Sequence, residues 1–128
     1  MLAFDLATGD ARPVFRQIAD EIQRCIAVGV LKSQEPLPAA RQLAQQLKVN
    51  VNTVQHAYRT LEAEGSVHVR RGLGTFVSPK PKESPARQSV LARHIAERML
   101  REGYRHGLLA SDLIAALREI APRTGKEP

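Results

Sequence analysis

The sequence has no tryptophan and is only 4% aromatic, which argues against a platform of stacked rings for single-stranded nucleic acid. One cysteine, Cys25, excludes an internal disulfide and a cysteine-ligated zinc centre. No apolar run approaches the roughly 20 residues that a membrane span needs. The opening stretch MLAFDLATGDARP lacks the basic start and long apolar core of a secretory signal. No nucleophile–base pair, paired carboxylates or phosphate loop stands at a workable spacing, and Gly72-Leu73-Gly74 lacks the strand–turn–helix context of a nucleotide fingerprint. These absences point to a cytoplasmic protein that is not an enzyme, holds no cofactor and has no membrane partner.

What is present is a basic chain of 128 residues, 43% hydrophobic and 25% charged, with a formal net charge of +6. That length suits one small domain or a domain with an appendage. Basic excess favours polyanions, nucleic acid first and anionic membrane second. Residues 12–78 hold nine basic groups against five acids and residues 79–128 ten against six, so charge alone does not locate the binding half.

Residues 13–29 read as a helix, with Pro13 at its first position, Gly29 at its end, and Phe15, Ile18, Ile22, Cys25 and Ile26 on one apolar stripe. Cys25 is expected to be a small core residue. A loop carrying Pro36 and Pro38 leads to a short helix at 39–47 with Ala40, Leu43, Ala44 and Leu47 inward. Lys48–Asn50 makes a tight turn, and a third helix runs over 51–64, closed by Gly65. In the hairpin-like stretch that follows, Val67 and Val69 alternate with polar residues, RRGLG turns, and Phe76 and Val77 return. Two helices joined by so short a turn signal a helix-turn-helix, and the hairpin makes it winged. The fold class expected is mainly α with a small β-hairpin: a winged helix-turn-helix domain over 1–78, a linker at 79–85, and a C-terminal helical hairpin over 86–128. That hairpin has one helix ended by Gly107 and another capped by Ser111.

The third helix has an uneven polar face. Val54, Ala57, Tyr58 and Leu61 share the core side, while Asn52, His56 and Arg59 point opposite, with Gln55 at their edge. A merely solvated helix gains from acids in its first turn, where the helix dipole is positive. Here the first acids, Glu62 and Glu64, come near the C-terminal end. Asn, Thr, Gln and His can donate to phosphate and read base edges in the major groove, and Asn and Gln match adenine bidentately. Asn50 suits the N-cap, leaving first-turn N–H groups to meet a phosphate. Arg70, Arg71 and Gly72 form a basic, glycine-containing turn able to reach phosphates or a minor groove. His68 reads as the outer face of a strand. His94 with Glu97, and Glu102 with His106, are helical neighbours of a kind common on exposed faces, so no metal site is assigned.

The segments LPAARQLA at 37–44, VNVNTVQHAYRTLEAEG at 49–65 and RGLGTFV at 71–77, in this order and spacing, resemble the winged helix-turn-helix domain of the GntR family of bacterial transcription regulators. The likeness runs from Pro13 to Val77, and the short helical tail is most similar to the YtrA subfamily. The resemblance implies that Arg41 contacts phosphate or a base and that Asn50, Val51, Asn52, Thr53 and Gln55 lie at the DNA. It also implies that Gly72 forms the wing tip, and that the protein is a dimeric repressor on double-stranded DNA with two inverted half-sites. Val51 and Gln55 stand where many members carry arginine, so base preference is not carried over. Lys48 and Gln34 stand where glycine is usual, and Ala39 where serine commonly caps the second helix.

About 45 residues follow the linker, too few to enclose a ligand pocket of several hundred Å³ on their own, and a small-molecule effector remains unknown from the sequence. The apolar rows need a partner. A homodimer is expected, with Leu91, Ile95, Met99, Leu113, Leu117 and Ile120 in contact; the alternative is that these helices fold back on their own winged domain. The competing reading is a winged helix that docks a protein without specific DNA binding.

Overall fold

The computed structural model describes residues 11–79 and 84–124, with side chains as far as Ala121. The chain divides into two compact units, Met1–Pro79 and Lys80–Pro128. Of the linker expected at 79–85, residues 80–83 lie outside the described part.

The first unit begins with α1, Val14–Ala27. Pro13 lies one residue earlier than expected, at the N-cap, where its carbonyl accepts from Arg16 N (3.0 Å) and Gln17 N (3.1 Å). Ile18, Ile22 and Cys25 of the stripe are buried, and Phe15 and Ile26 are half-buried at its margins. Burial, aided by the neighbouring Glu21 charge, pushes the Cys25 thiol above its ordinary range, so the group is an inert piece of core.

Next come α2, Ala40–Leu47, and α3, Val51–Ala63. Lys48 turns the chain between them in the left-handed region, at φ 59° and ψ 45°, and Val49 N closes the turn onto Ala44 O at 3.0 Å. Val54, Ala57, Tyr58 and Leu61 of α3 meet α1 and the α2 residues Leu43 and Ala44 in one core.

The wing is β1, Val67–Arg70, paired antiparallel with β2, Gly74–Val77, in the register Val67↔Val77, His68↔Phe76, Val69↔Thr75 and Arg70↔Gly74. Val67 and Val77 seal the core beneath it. The loop expected before α2 contributes more than a connection. Gln34 N donates to Val77 O (2.9 Å), Val77 N to Glu35 O (2.8 Å) and Leu37 N to Thr75 O (2.8 Å). An extended segment thus lies along the free edge of β2, with Pro36 bridged to Phe76. Proline is tolerated there because an edge position does not require its missing N–H. Gln34 enters this segment at φ 66°.

The second unit is a helical hairpin. α4 spans Pro85–Arg105, with Ser84 as N-cap accepting from Arg87 N at 3.3 Å. α5 spans Ala110–Thr124. Ser111 does not cap α5, because the helix starts one residue before it. Asp112 reaches back instead, accepting from Leu109 N at 2.8 Å. Gly103 is the buried residue of α4, and a Cβ there would come within 3.1 Å of Leu113 Cδ1, so the small residue lets α5 pack closely.

Candidate nucleic-acid interface

The residues singled out in the sequence divide into three groups. Asn52, Gln55 and Arg59 are exposed on α3, opposite its buried face. Gln55 and Arg59 border a groove of about 520 Å³ whose other wall is the wing, at Val69, Leu73 and Thr75, and whose floor holds Pro38 and Tyr58. Arg41 is exposed near the start of α2, and Arg71 and Gly72 form the wing tip with Leu73. Gly72 takes φ +77°, a conformation that favours glycine, and Leu73 N closes the turn onto Arg70 O at 2.9 Å.

A second group supports the framework. Asn50 caps α3, its Oδ1 accepting from Asn52 N at 2.8 Å, so half of its amide is already engaged. Val51 is half-buried against the core rather than presented to solvent, and Thr53 is half-buried too.

The third group is turned toward protein. His56 is exposed at its edge, but its ring stacks on Phe15 of α1, with centroids 3.7 Å apart. Arg70 folds back over the outer face of the wing. Its guanidinium lies 4.2 Å from the Phe76 ring centroid, its Nε donates to His68 Nε2 at 3.1 Å, and an Nη reaches Gln34 Oε1 at 3.4 Å. His68 is therefore more than the bare outer face of a strand.

Val69 alternates with polar residues as Val67 does, but does not share its burial. It is 56% exposed, because beyond Val67 the strand leaves the core and presents its inner face to the groove. Leu73, 74% exposed at the tip, was not singled out either, and its position between Gly72 and Gly74 was the available signal. The acids at the end of α3 are where the pattern put them. Arg16 of α1 pairs with Glu64 at 3.6 Å, whereas Glu62 borders the groove. Tyr58 donates its hydroxyl to Pro38 O at 2.8 Å, tying α3 to the start of α2, and burial pushes its pKa well above the ordinary phenol range. Among the described residues no group of three or more potential metal ligands converges.

Residues 15–77 match the family model described as bacterial regulatory proteins, gntR family. Over 108 residues the chain is 32% identical to the uncharacterized HTH-type transcriptional regulator YhcF of Bacillus subtilis (strain 168), spanning 84% of this chain and 89% of that one. The chain belongs to the gntR family. Its likeness to the YtrA subfamily also holds, since it is 37% identical over 70 residues to the HTH-type transcriptional repressor YtrA of Bacillus subtilis (strain 168), covering 55% of this chain and 54% of YtrA. Among solved structures, it is similar to AraR(DBD) in complex with operator ORX1, with TM-score 0.52, 27% identity, and coverage of 60% of this chain and 93% of that one. These relatives are regulators, and the gntR-family chain is a transcriptional regulator carrying the winged helix-turn-helix of that family. No helix among its described residues is long and apolar enough to cross a membrane.

Proposed function

We propose that this gntR-family regulator is a homodimeric repressor that occupies an operator of two inverted half-sites. The observation that carries the reading is the exposed face formed by Asn52, Gln55 and Arg59, free of acids along the first two turns of α3 and bordering the groove to the wing. A helix that carries amides and a cation where others carry carboxylates is suited to lie in a major groove. Asn52 and Gln55 read base edges, while Arg41, Arg59 and Arg71 supply the salt-dependent grip on phosphates. Gly72 lets the wing backbone approach the duplex. Val51, Asn50, Thr53, His56 and Arg70 act from behind, by packing, capping or holding neighbouring elements. The similarity to a relative described as a repressor and to a domain bound to an operator supports the same reading.

Dimerisation follows from the second unit. Leu91, Ile95, Leu117 and Ile120 are 42–52% exposed, with Met99 and Leu113 half-buried beside them. A two-helix hairpin that leaves this much apolar surface in water gains by covering it with a second copy.

Selection of bound duplexes from a random pool tests the reading. The expected product is an inverted repeat, bound by a particle of twice the chain mass. Asn52→Ala with Gln55→Ala should abolish discrimination over scrambled DNA, at roughly 1–3 kcal/mol per lost base contact. Full discrimination in that double variant would refute the recognition assignment. Indifference to every duplex, with a stable protein complex instead, would favour a protein-docking winged helix.

A further inference from the structure

Four of the five arginines of α4 share one face with a histidine. Arg87, His94, Arg98, Arg101 and Arg105 follow one another at steps of seven, four, three and four, which places all five on one stripe of a helix with 3.6 residues per turn. All five are exposed. The 21-residue helix is about 30 Å long at 1.5 Å per residue, so the stripe runs along most of it. It lies on the side away from Gly103, the residue buried against Leu113, and therefore does not face α5.

The charges on the stripe are poorly compensated. α4 carries five arginines against two glutamates. Glu102 lies at one margin, where it pairs with Arg105 at 2.9 Å and with His106 at 3.3 Å; both side chains of the arginine pair are more than 60% exposed, so the pair is weak. Glu97 lies at the other margin, beside a shallow depression that it shares with Leu91, His94, Arg98 and Arg101. Arg98 and Arg101, in the centre, make no ion pair among those found for the described residues.

We infer that this stripe is a second DNA-binding surface, which grips the phosphate backbone of the duplex outside the half-site read by α3. The inference rests on the proposed operator-binding function. A row of cations along a straight helix matches an extended polyanion better than a compact anion, because no side chains converge from several directions to enclose one. It makes sequence-independent contacts only: arginines on an exposed stripe are free to follow the phosphates, and no amide accompanies them to read bases. Seven residues, 78–84, separate the end of β2 from the start of α4. So short a tether keeps the effective concentration of the stripe high around any duplex that the first unit holds, and even weak phosphate contacts add to affinity. The apolar row of Leu91, Ile95 and Met99 lies next to the stripe on the same helix, so one face can serve dimerisation while its neighbour serves DNA.

The test compares the full-length protein with the triple variants Arg87→Ala/Arg98→Ala/Arg101→Ala and Arg87→Lys/Arg98→Lys/Arg101→Lys. The probe is a duplex enriched by the wild-type protein, used at minimal length and extended by about two helical turns on each side. The wild-type protein should bind the extended duplex more tightly. The alanine variant should lose that gain, bind the extended duplex roughly tenfold or more weakly at moderate salt, and show a log affinity against log salt slope shallower by about 2–3. Its ranking of operator over scrambled sequence should be unchanged. Lysine, a point charge sufficient for a phosphate, should restore most of the slope. An unchanged slope in the alanine variant would overturn the inference while leaving operator reading intact. So would a lysine variant that fails like the alanine one, together with a halved sedimenting mass, since the stripe would then act in assembly. Enrichment of no duplex by the wild-type protein would refute the operator reading itself, and the inference with it.

Discussion

The imidazole of His56 lies nearly parallel to the ring of Phe15, with planes inclined by 14° and centroids 3.7 Å apart. The contact joins the middle of α3 to the first turn of α1, and on the proposed function it gives the histidine a framework role. His56→Ala should therefore lower stability by about 1 kcal/mol, the order of an aromatic pair with its buried area. In a unit of this size that shifts the thermal midpoint by roughly 4–8 °C. Duplex selection with the same variant should return the wild-type site. A changed base preference would place the ring at the DNA instead.

Arg70 and Arg71 are adjacent in sequence but differently engaged. Arg70 is held by Phe76, His68 and Gln34, whereas Arg71 is exposed at the wing tip. Arg71→Ala should reduce the salt slope of duplex binding by about 1 with little effect on stability. Arg70→Ala should do the reverse, costing about 0.5–1 kcal/mol of stability through the lost cation–π contact and leaving the slope nearly unchanged. Salt titrations and thermal melts of the two variants distinguish these outcomes.

Tyr58 links protonation to folding. Its hydroxyl donates to Pro38 O at 2.8 Å, and burial raises its pKa above the ordinary value. The folded state thus holds the phenol proton more tightly than the unfolded chain does. Its contribution is fully present below the ordinary phenol pKa of about 10 and is lost as pH climbs from there toward the folded value. At neutral pH Tyr58→Phe should cost about 0.5–1.5 kcal/mol, the net value of the hydrogen bond. Above pH 10 the gap between wild type and variant should narrow. Chemical denaturation at pH 7 and at alkaline pH measures both.

Among the described residues, two that bear side chains occupy left-handed backbone, Gln34 at φ 66° and Lys48 at φ 59°. Each stores about 1–2 kcal/mol of steric cost that glycine avoids, against about 0.5–1 kcal/mol of extra backbone entropy that glycine loses on folding. Lys48→Gly should stabilise the first unit by up to about 1 kcal/mol in denaturant titrations, and Gln34→Gly by less, because it also gives up the hydrogen bond from Arg70. A loss of stability in Lys48→Gly would mean that its side chain makes a compensating contact in solution.

Local periodicity made most of the framework legible in the sequence. The stripe Ile18–Ile22–Cys25, the α3 core face Val54–Ala57–Tyr58–Leu61 and the cap Asn50 are consequences of 3.6-residue geometry and of one side chain meeting the backbone N–H two residues on. Neither requires knowledge of any other element. The position of the first acids at Glu62 and Glu64, and hence the acid-free face, follows from the sequence in the same way. The tertiary structure decided everything that depends on contacts between elements. Nothing near Gln34–Leu37 announces that this loop will bind the edge of β2, because its partner lies some forty residues on and the pairing is made by backbone groups that every residue has. Val69 follows the same two-residue alternation as the buried Val67, and only the point at which the wing rises off the core exposes it. His56 and Arg70 carry the chemistry of DNA contacts. In the folded unit they lie against Phe15 and Phe76, contacts between elements that the sequence does not show.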